Sequence, residues 1–170
     1  MSPAAGTSLR TKLMALAMFT VVALSALFVV ALYNERSQLM QDRQEKVRNL
    51  VEVAHTSVSH FAQQAREGRM SEDEARQAAI AAIRAMRYDK NEYFWINDFT
   101  PTTIMHPIRP ELEGKPMSEV KDPTGKQLFV EFVRVVKASS AGFVDYLWPK
   151  PGSDAPVPKI SYVKGFEPWG

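Results

Sequence analysis

Apolar positions along this chain change their spacing three times. From Leu13 to Tyr33 the sequence runs 21 residues without a charge, and only Thr20, Ser25 and Tyr33 interrupt the apolar side chains with hydroxyls. At about 1.5 Å per residue such a run spans roughly 31 Å as a helix, the thickness of a bilayer's hydrocarbon core. The pattern predicts a transmembrane helix over residues 13–33. A cleaved signal peptide would use Arg10 and Lys12 as its basic head, but the run exceeds the ~7 to 15 residue apolar stretch of such peptides. The end of the run, Ala31-Leu32-Tyr33-Asn34, also lacks a small residue at the cleavage position.

From Asn34 to about Glu67 the spacing becomes that of one helix face, with Val47, Val51, Ala54, Val58, Phe61 and Ala65 at three- and four-residue steps and no Pro or Gly. This predicts a long amphipathic helix continuous with the first and stopped at Gly68. Ser71 then opens a second helix, with Glu74 placed to complete a capping box in which hydroxyl and carboxylate satisfy orphan N–H groups. Ala75, Ala78, Ala79, Ala82, Ile83 and Met86 give that helix a face of mostly small residues, suited to close packing.

Beyond Arg87 the period shortens to that of strands. Tyr93-Phe94-Trp95-Ile96 and Thr102-Thr103-Ile104-Met105-His106 are expected to pair across a turn at Asp98 to Pro101. Residues 107–126 form a loop with a turn at Asp122-Pro123-Thr124-Gly125. A third helix carries Leu128, Phe129, Phe132, Val133 and Val136 on one side, and Gly142 is expected to end it. Two strands, Phe143 to Trp148 and Val157 to Phe166, follow with the loop Pro149 to Pro156 between them. Val144, Tyr146 and Trp148 share one face of the first. Lys159, Ser161 and Val163 share one face of the second, with Ile160, Tyr162 and Lys164 opposite. Two helices, two strands, a crossover helix and two strands make an α+β fold, an antiparallel sheet backed by helices.

Charge adds a direction. The 170 residues hold 21 Lys plus Arg, 19 Asp plus Glu and no cysteine, for a net charge of +2. Disulfides, Cys-ligated metals and thiolate nucleophiles are excluded, and so small a surplus argues against a dedicated nucleic-acid binder. The surplus is Arg10 and Lys12, ahead of the apolar run. Basic residues heading a long translocated segment count weakly. Residues 1–12 are therefore expected in the cytoplasm, 13–33 in the membrane, and 34–170 outside as a single domain.

Candidate chemistry is sparse. His55 and His60 are five apart on a helix, about 140° round, and cannot share an ion. Glu52 and His55 form a Glu-x-x-His step, but di-iron sites need a second copy. A solvated helix face is expected for both histidines, with no metal and no cofactor. Neither a Gly-x-Ser-x-Gly elbow nor a phosphate-cradling loop occurs, so an enzyme has no positive support. What stands out is a concentration of polar-tipped aromatics, Tyr88, Tyr93, Trp95, Tyr146, Trp148 and Tyr162, with His106, Arg87 and Lys159. Each alone reads as core. Together they describe apolar walls with a few fixed donors, the make-up of a small-ligand pocket. One cation among hydroxyls suits a small carboxylate.

The blocks Arg87-Tyr88-Asp89-Lys90-Asn91-Glu92-Tyr93-Phe94-Trp95-Ile96-Asn97-Asp98, Met105-His106-Pro107 with Leu112-Glu113-Gly114, and Lys159-Ile160-Ser161-Tyr162-Val163-Lys164 ahead of Pro168-Trp169-Gly170 occur in order. In them the chain resembles the single Cache sensor domain of bacterial methyl-accepting chemotaxis receptors, over roughly residues 35 to 170. The resemblance implies a PAS-like antiparallel sheet mounted on a long N-terminal helix, and a pocket for short carboxylates such as acetate, propionate, pyruvate or lactate. It implies that Tyr93, Trp95, His106, Pro107, Tyr146, Lys159 and Tyr162 line or approach the ligand, with Arg87 and Tyr88 as further candidates. Lys159 and Tyr162 differ by three positions and should face opposite sides of a strand unless a bulge intervenes. The resemblance also implies a final strand, a second membrane helix and a signalling region beyond Gly170, so the chain is expected to be the N-terminal piece of a receptor. A homodimer through the apolar seam of the long helix is expected. A histidine kinase or cyclic-dinucleotide enzyme as output, and an adaptor domain without a ligand, are the competing readings.

Overall fold

The computed structural model describes residues 8–170, so the first seven residues of the expected cytoplasmic segment lie outside the described residues. Helix α1 runs without interruption from Leu9 to Arg66. Chain contacts divide the protein into two units, one ending at Arg43 and one from Gln44 to Gly170. In the first, the apolar stretch is long and apolar enough to cross a membrane, and it has no buried residue.

The second unit begins within α1, whose apolar seam folds inward: Ala54 and Ala62 are buried, and Val47, Val51, Val58, Phe61 and Ala65 are half-buried. Gly68 stops the chain at φ +70°, a conformation that favours glycine. Helix α2 (Glu72–Ala85) starts with both halves of the expected capping box. Ser71 Oγ accepts from the Glu74 N–H, and the Ser71 N–H donates to Glu74 Oε2 at 2.8 Å. Its buried residues Ala75, Ala79 and Ile83 lie on the small-residue face. Ala54 of α1 joins Ile83 and Met105 in one core cluster, flanked by Val58, Ile80, Met86, Phe94 and Ile96.

The aromatic run after α2 departs from expectation. It contributes to two pairings rather than one strand. β1 (Arg87–Tyr88) pairs antiparallel with β2 (Glu92–Tyr93), the chain turning at Asp89 (φ +44°) and Lys90 (φ +72°). After a break at Phe94-Trp95, β3 (Ile96–Asn97) pairs with β4 (Thr103–Met105) through a register shift. The expected turn at Asp98 forms because its carboxylate accepts from the N–H groups of Thr100 and Thr102 at 2.9 and 2.8 Å.

The second core cluster gathers around α3 (Leu128–Ser139), where Leu128, Phe129 and Phe132 bury against Met117, Val144 and Tyr146. Gly142 does not end this helix. Ser140 does, at φ +62°, donating its N–H to Val136 O. Gly142 instead lies in β5, where a Cβ would come 2.5 Å from Val135 Cγ1, and Gly165 repeats the device with Val136 Cγ1 at 2.6 Å. The two glycines let α3 lie close on β5 (Ala141–Pro149) and β6 (Pro156–Lys164), which pair antiparallel without a bulge. The result is an α+β fold, a long N-terminal helix with small antiparallel sheets. Among the described residues β3 pairs only with β4, and β6 only with β5, leaving each a free edge.

Asp122 pins the loop ahead of α3 to β5. Its Oδ1 accepts from the Thr124 hydroxyl and from the Thr124 and Lys126 N–H groups, and its Oδ2 accepts from Leu147 N–H at 3.0 Å. These hydrogen bonds, the Thr124 hydroxyl foremost, hold its pKa down at about 2. A carboxylate depressed below its unfolded value of ~3.9 stabilises the fold fully above that value and loses the contribution as pH falls towards 2. Asp122→Asn is therefore expected to melt below the wild type at pH 7, with the gap closing between pH 5 and pH 2 in circular-dichroism melts. A gap constant with pH would refute the assignment.

Candidate functional site

Strand alternation and the unbroken β5–β6 register bring Tyr146 and Lys159 opposite each other on one face. Tyr146 is 8% exposed, and its Oη shares a 2.8 Å hydrogen bond with Ser161 Oγ, the next residue on that face of β6. The Lys159 ammonium sits 5.3 Å from the centre of the Tyr93 ring and 3.0 Å from Glu92 Oε2. Tyr93 is buried against His106, ring centres 4.9 Å apart. Tyr88 stands opposite Glu92 in the β1–β2 register and tilts onto Phe94. Five of the expected residues, Tyr88, Tyr93, His106, Tyr146 and Lys159, are thus linked in one cluster, through Tyr93 and through the partner of Lys159, Glu92.

The others lie elsewhere. Tyr162 is on the opposite face of β6 from Lys159, because no bulge intervenes, and its ring packs on Phe143 at 4.9 Å. Arg87 is exposed and donates to the carbonyls of Arg84 and Met86. Trp95 is one ring removed, packed on Phe132, which in turn meets Tyr146 edge-on at 5.2 Å. Pro107 is half-buried where the chain leaves β4.

His106 is held from both sides. Its backbone N–H donates to Glu113 Oε1, which is salt-bridged to Arg84 of α2, and its ring Nδ1 accepts from the Arg109 backbone N–H at 3.0 Å. The ring proton therefore resides on Nε2. Burial, helped by the Arg109 cation, pushes its pKa down to about 4. Burial also pushes the Tyr88 phenol up to about 12 and raises those of Tyr93 and Tyr146. At neutral pH the phenols and the imidazole are neutral, and the charges at the site are those of Lys159, its partner Glu92 and Arg109. None of these shifts brings a group to a pKa near 7, where general acid–base work is most effective. The set donates hydrogen bonds and holds position, which is the equipment of a binding site.

Two cavities flank this cluster. One of about 420 Å³ opens beside Tyr93, walled by Ile108, Arg109, Glu111 and loop residues 149–154. Arg109 lies 5.4 Å over the Trp148 ring and 4.0 Å from Asp154 at its rim. The other, about 490 Å³, is mainly apolar and includes Trp95, Ile96, Phe132, Val163 and Trp169, but none of the five clustered residues. Of the five clustered residues, Tyr93 lines the smaller one. Sequence reasoning missed Glu92, Arg109 and Ser161 as site residues. Ser161 was legible from its position two along from Lys159, whereas nothing in the sequence pairs Glu92 with a lysine 67 residues away. His55 also departs from expectation. It is half-buried, 3.1 Å from Gly165 O and edge-on to Phe166, while His60 is exposed. No metal-binding cluster occurs among the described residues.

A family model described as a Cache domain matches residues 26–170. Among curated relatives, methyl-accepting chemotaxis protein McpP of Pseudomonas putida is 40% identical over 153 residues, covering 88% of this chain and 28% of its own length. Sensor histidine kinase MctS of Rhizobium johnstonii is 26% identical over 132 residues, covering 77% of this chain and 28% of its own. The chain thus spans under a third of the length of these relatives. A solved periplasmic sensor domain of a chemotaxis protein superposes with TM-score 0.76 at 57% identity, covering 77% of this chain and 91% of that one. A structure described as the basis for carboxylic acid recognition by a Cache chemosensory domain superposes with TM-score 0.75 at 43% identity, covering 79% and 91%.

Proposed function

The chain belongs to the Cache domain family, and from that premise we propose that it is the extracytoplasmic input domain of a transmembrane chemoreceptor that senses small organic acids of two to four carbons. The observation that carries this reading is the Lys159 ammonium, 14% exposed, paired with Glu92 and 5.3 Å from the centre of the Tyr93 ring, which itself lines an open recess. A short carboxylate would accept from Lys159 and from a phenolic O–H or the imidazole N–H while its carbon tail meets the aromatic walls. Such a charge-assisted bond is stronger than a neutral one. The solved relative described as recognising carboxylic acids supports the same class of ligand. Titration of the full chain in lipid nanodiscs with acetate, propionate, pyruvate and lactate tests it calorimetrically. No heat of binding at millimolar acid would overturn the carboxylate reading.

In this proposal residues 13–33 anchor the chain in the plasma membrane with 1–12 in the cytoplasm. The protein then acts as a sensor and not a catalyst, with its output supplied by another part of a receptor. The apolar seam first expected to pair two subunits is taken up in the domain's own core, through Ala54 and Val58. A homodimer through α1 would therefore use other positions, such as Val53, which is 66% exposed. Val53→Cys in nanodiscs is expected to give a disulfide-linked dimer on mild oxidation, whereas Ala54→Cys is not. The reverse pattern would contradict the assignment.

A further inference from the structure

A cation proposed to bind a free carboxylate is, in this structure, already bound to one. Lys159 Nζ meets Glu92 Oε2 at 3.0 Å, with the two side chains 14% and 24% exposed. This is the most enclosed ion pair among the described residues. Glu92 sits on β2, one strand of the small hairpin that turns at Asp89 and Lys90, both exposed. From Cβ outward its side chain is two methylenes and a carboxylate, the skeleton of propionate.

Two arrangements are open to an incoming acid. It can join Glu92 on the same ammonium, which places two carboxylates side by side, a juxtaposition that drives one of them to protonate. Or it can take the place of Glu92, which leaves the number of charges around Lys159 unchanged and never strands a sparsely exposed ammonium without a partner, the costly case. The second needs only that Glu92 swing outward, and its hairpin has solvent at its turn. Resting on the carboxylate reading above, we propose that Glu92 is a tethered stand-in for the ligand: its carboxylate occupies Lys159 in the empty site, and a free carboxylate binds by exchanging with it.

A tethered competitor lowers the apparent affinity for the free acid by the factor with which it holds the site. Removing its charge while keeping its shape removes the competition. Glu92→Gln in the full chain, in nanodiscs, is expected to bind acetate and propionate tighter than the wild type, roughly 5- to 150-fold, the usual range of coupling between two linked binding events. Glu92→Ala should shift affinity in the same direction, which guards against a residual amide bond to Lys159. Comparable melting curves for the three proteins confirm that folding is not the variable. If the wild type binds these acids and both variants bind no tighter, Glu92 is a fixed partner and the exchange is refuted, while the carboxylate reading stands. If none of the three binds either acid, the carboxylate reading has failed and the exchange fails with it.

Discussion

Lys159→Ala is expected to weaken binding of acetate or propionate by roughly tenfold to more than a hundredfold, since a hydrogen bond to a charged group contributes about 1.5–3 kcal/mol. The ammonium is 14% exposed, so solvent replaces little of what the ligand's carboxylate would lose. Around it stand groups held neutral at pH 7 by burial, the His106 imidazole with its pKa near 4 and the Tyr88 phenol at about 12. Lys159 is the ammonium beside the Tyr93 ring, whereas the Arg109 guanidinium lies over Trp148 at the rim of the recess. Tyr162→Phe supplies the control. Its ring lies on the other face of β6, against Phe143, and loss of its hydroxyl should leave affinity unchanged. Calorimetry on the two variants separates the faces of the strand. Equal affinities for Lys159→Ala and wild type would remove the lysine from the site.

Phe132→Ala should produce the largest loss of stability, about 3–5 kcal/mol, the range found when a buried Phe is truncated to Ala. The ring is 2% exposed and meets three others, Trp95 at 5.3 Å, Tyr146 at 5.2 Å and Phe129 at 5.5 Å. Its removal opens a space that relaxation fills poorly, because α3 is already seated close on β5 and β6 at Gly142 and Gly165. For a domain of this size the loss corresponds to a melting point lower by roughly 10–20 °C. Val130→Ala, on the exposed side of the same helix, should shift it little. Similar melts for the two would place the core elsewhere.

Much of the fold was legible because its signals are periodic or local. The three- and four-step spacing marked all three helices, Ser71 and Glu74 marked the start of α2, and alternation in β6 put Lys159 and Tyr162 on opposite faces. What was not legible depends on conformations or distances that spacing does not encode. The β1–β2 hairpin turns through Asp89 and Lys90 at positive φ, where glycine or asparagine would have advertised it. Gly142 looked like a helix stop because glycine commonly is one, but its role is to admit the Val135 side chain. Glu92 and Arg109 reach the site through tertiary placement alone, and the seam of α1 had two possible partners, of which the domain's own core took it.

The contacts that tie α1 to the rest of its unit are of a particular kind. Lys46 pairs with Asp89 of the hairpin, Glu52 with Lys164 of β6, and His55 with the Gly165 carbonyl. The first is largely open to water, where an ion pair contributes only about 0–1 kcal/mol, and the second is partly buried. Beside the greasy seam centred on Ala54, they resemble a bearing more than a weld. In the proposed sensor, such contacts could trade partners at little cost when the hairpin or β6 shifts against the helix. The closest packing is kept for α3 and the strands beneath it, at Gly142 and Gly165.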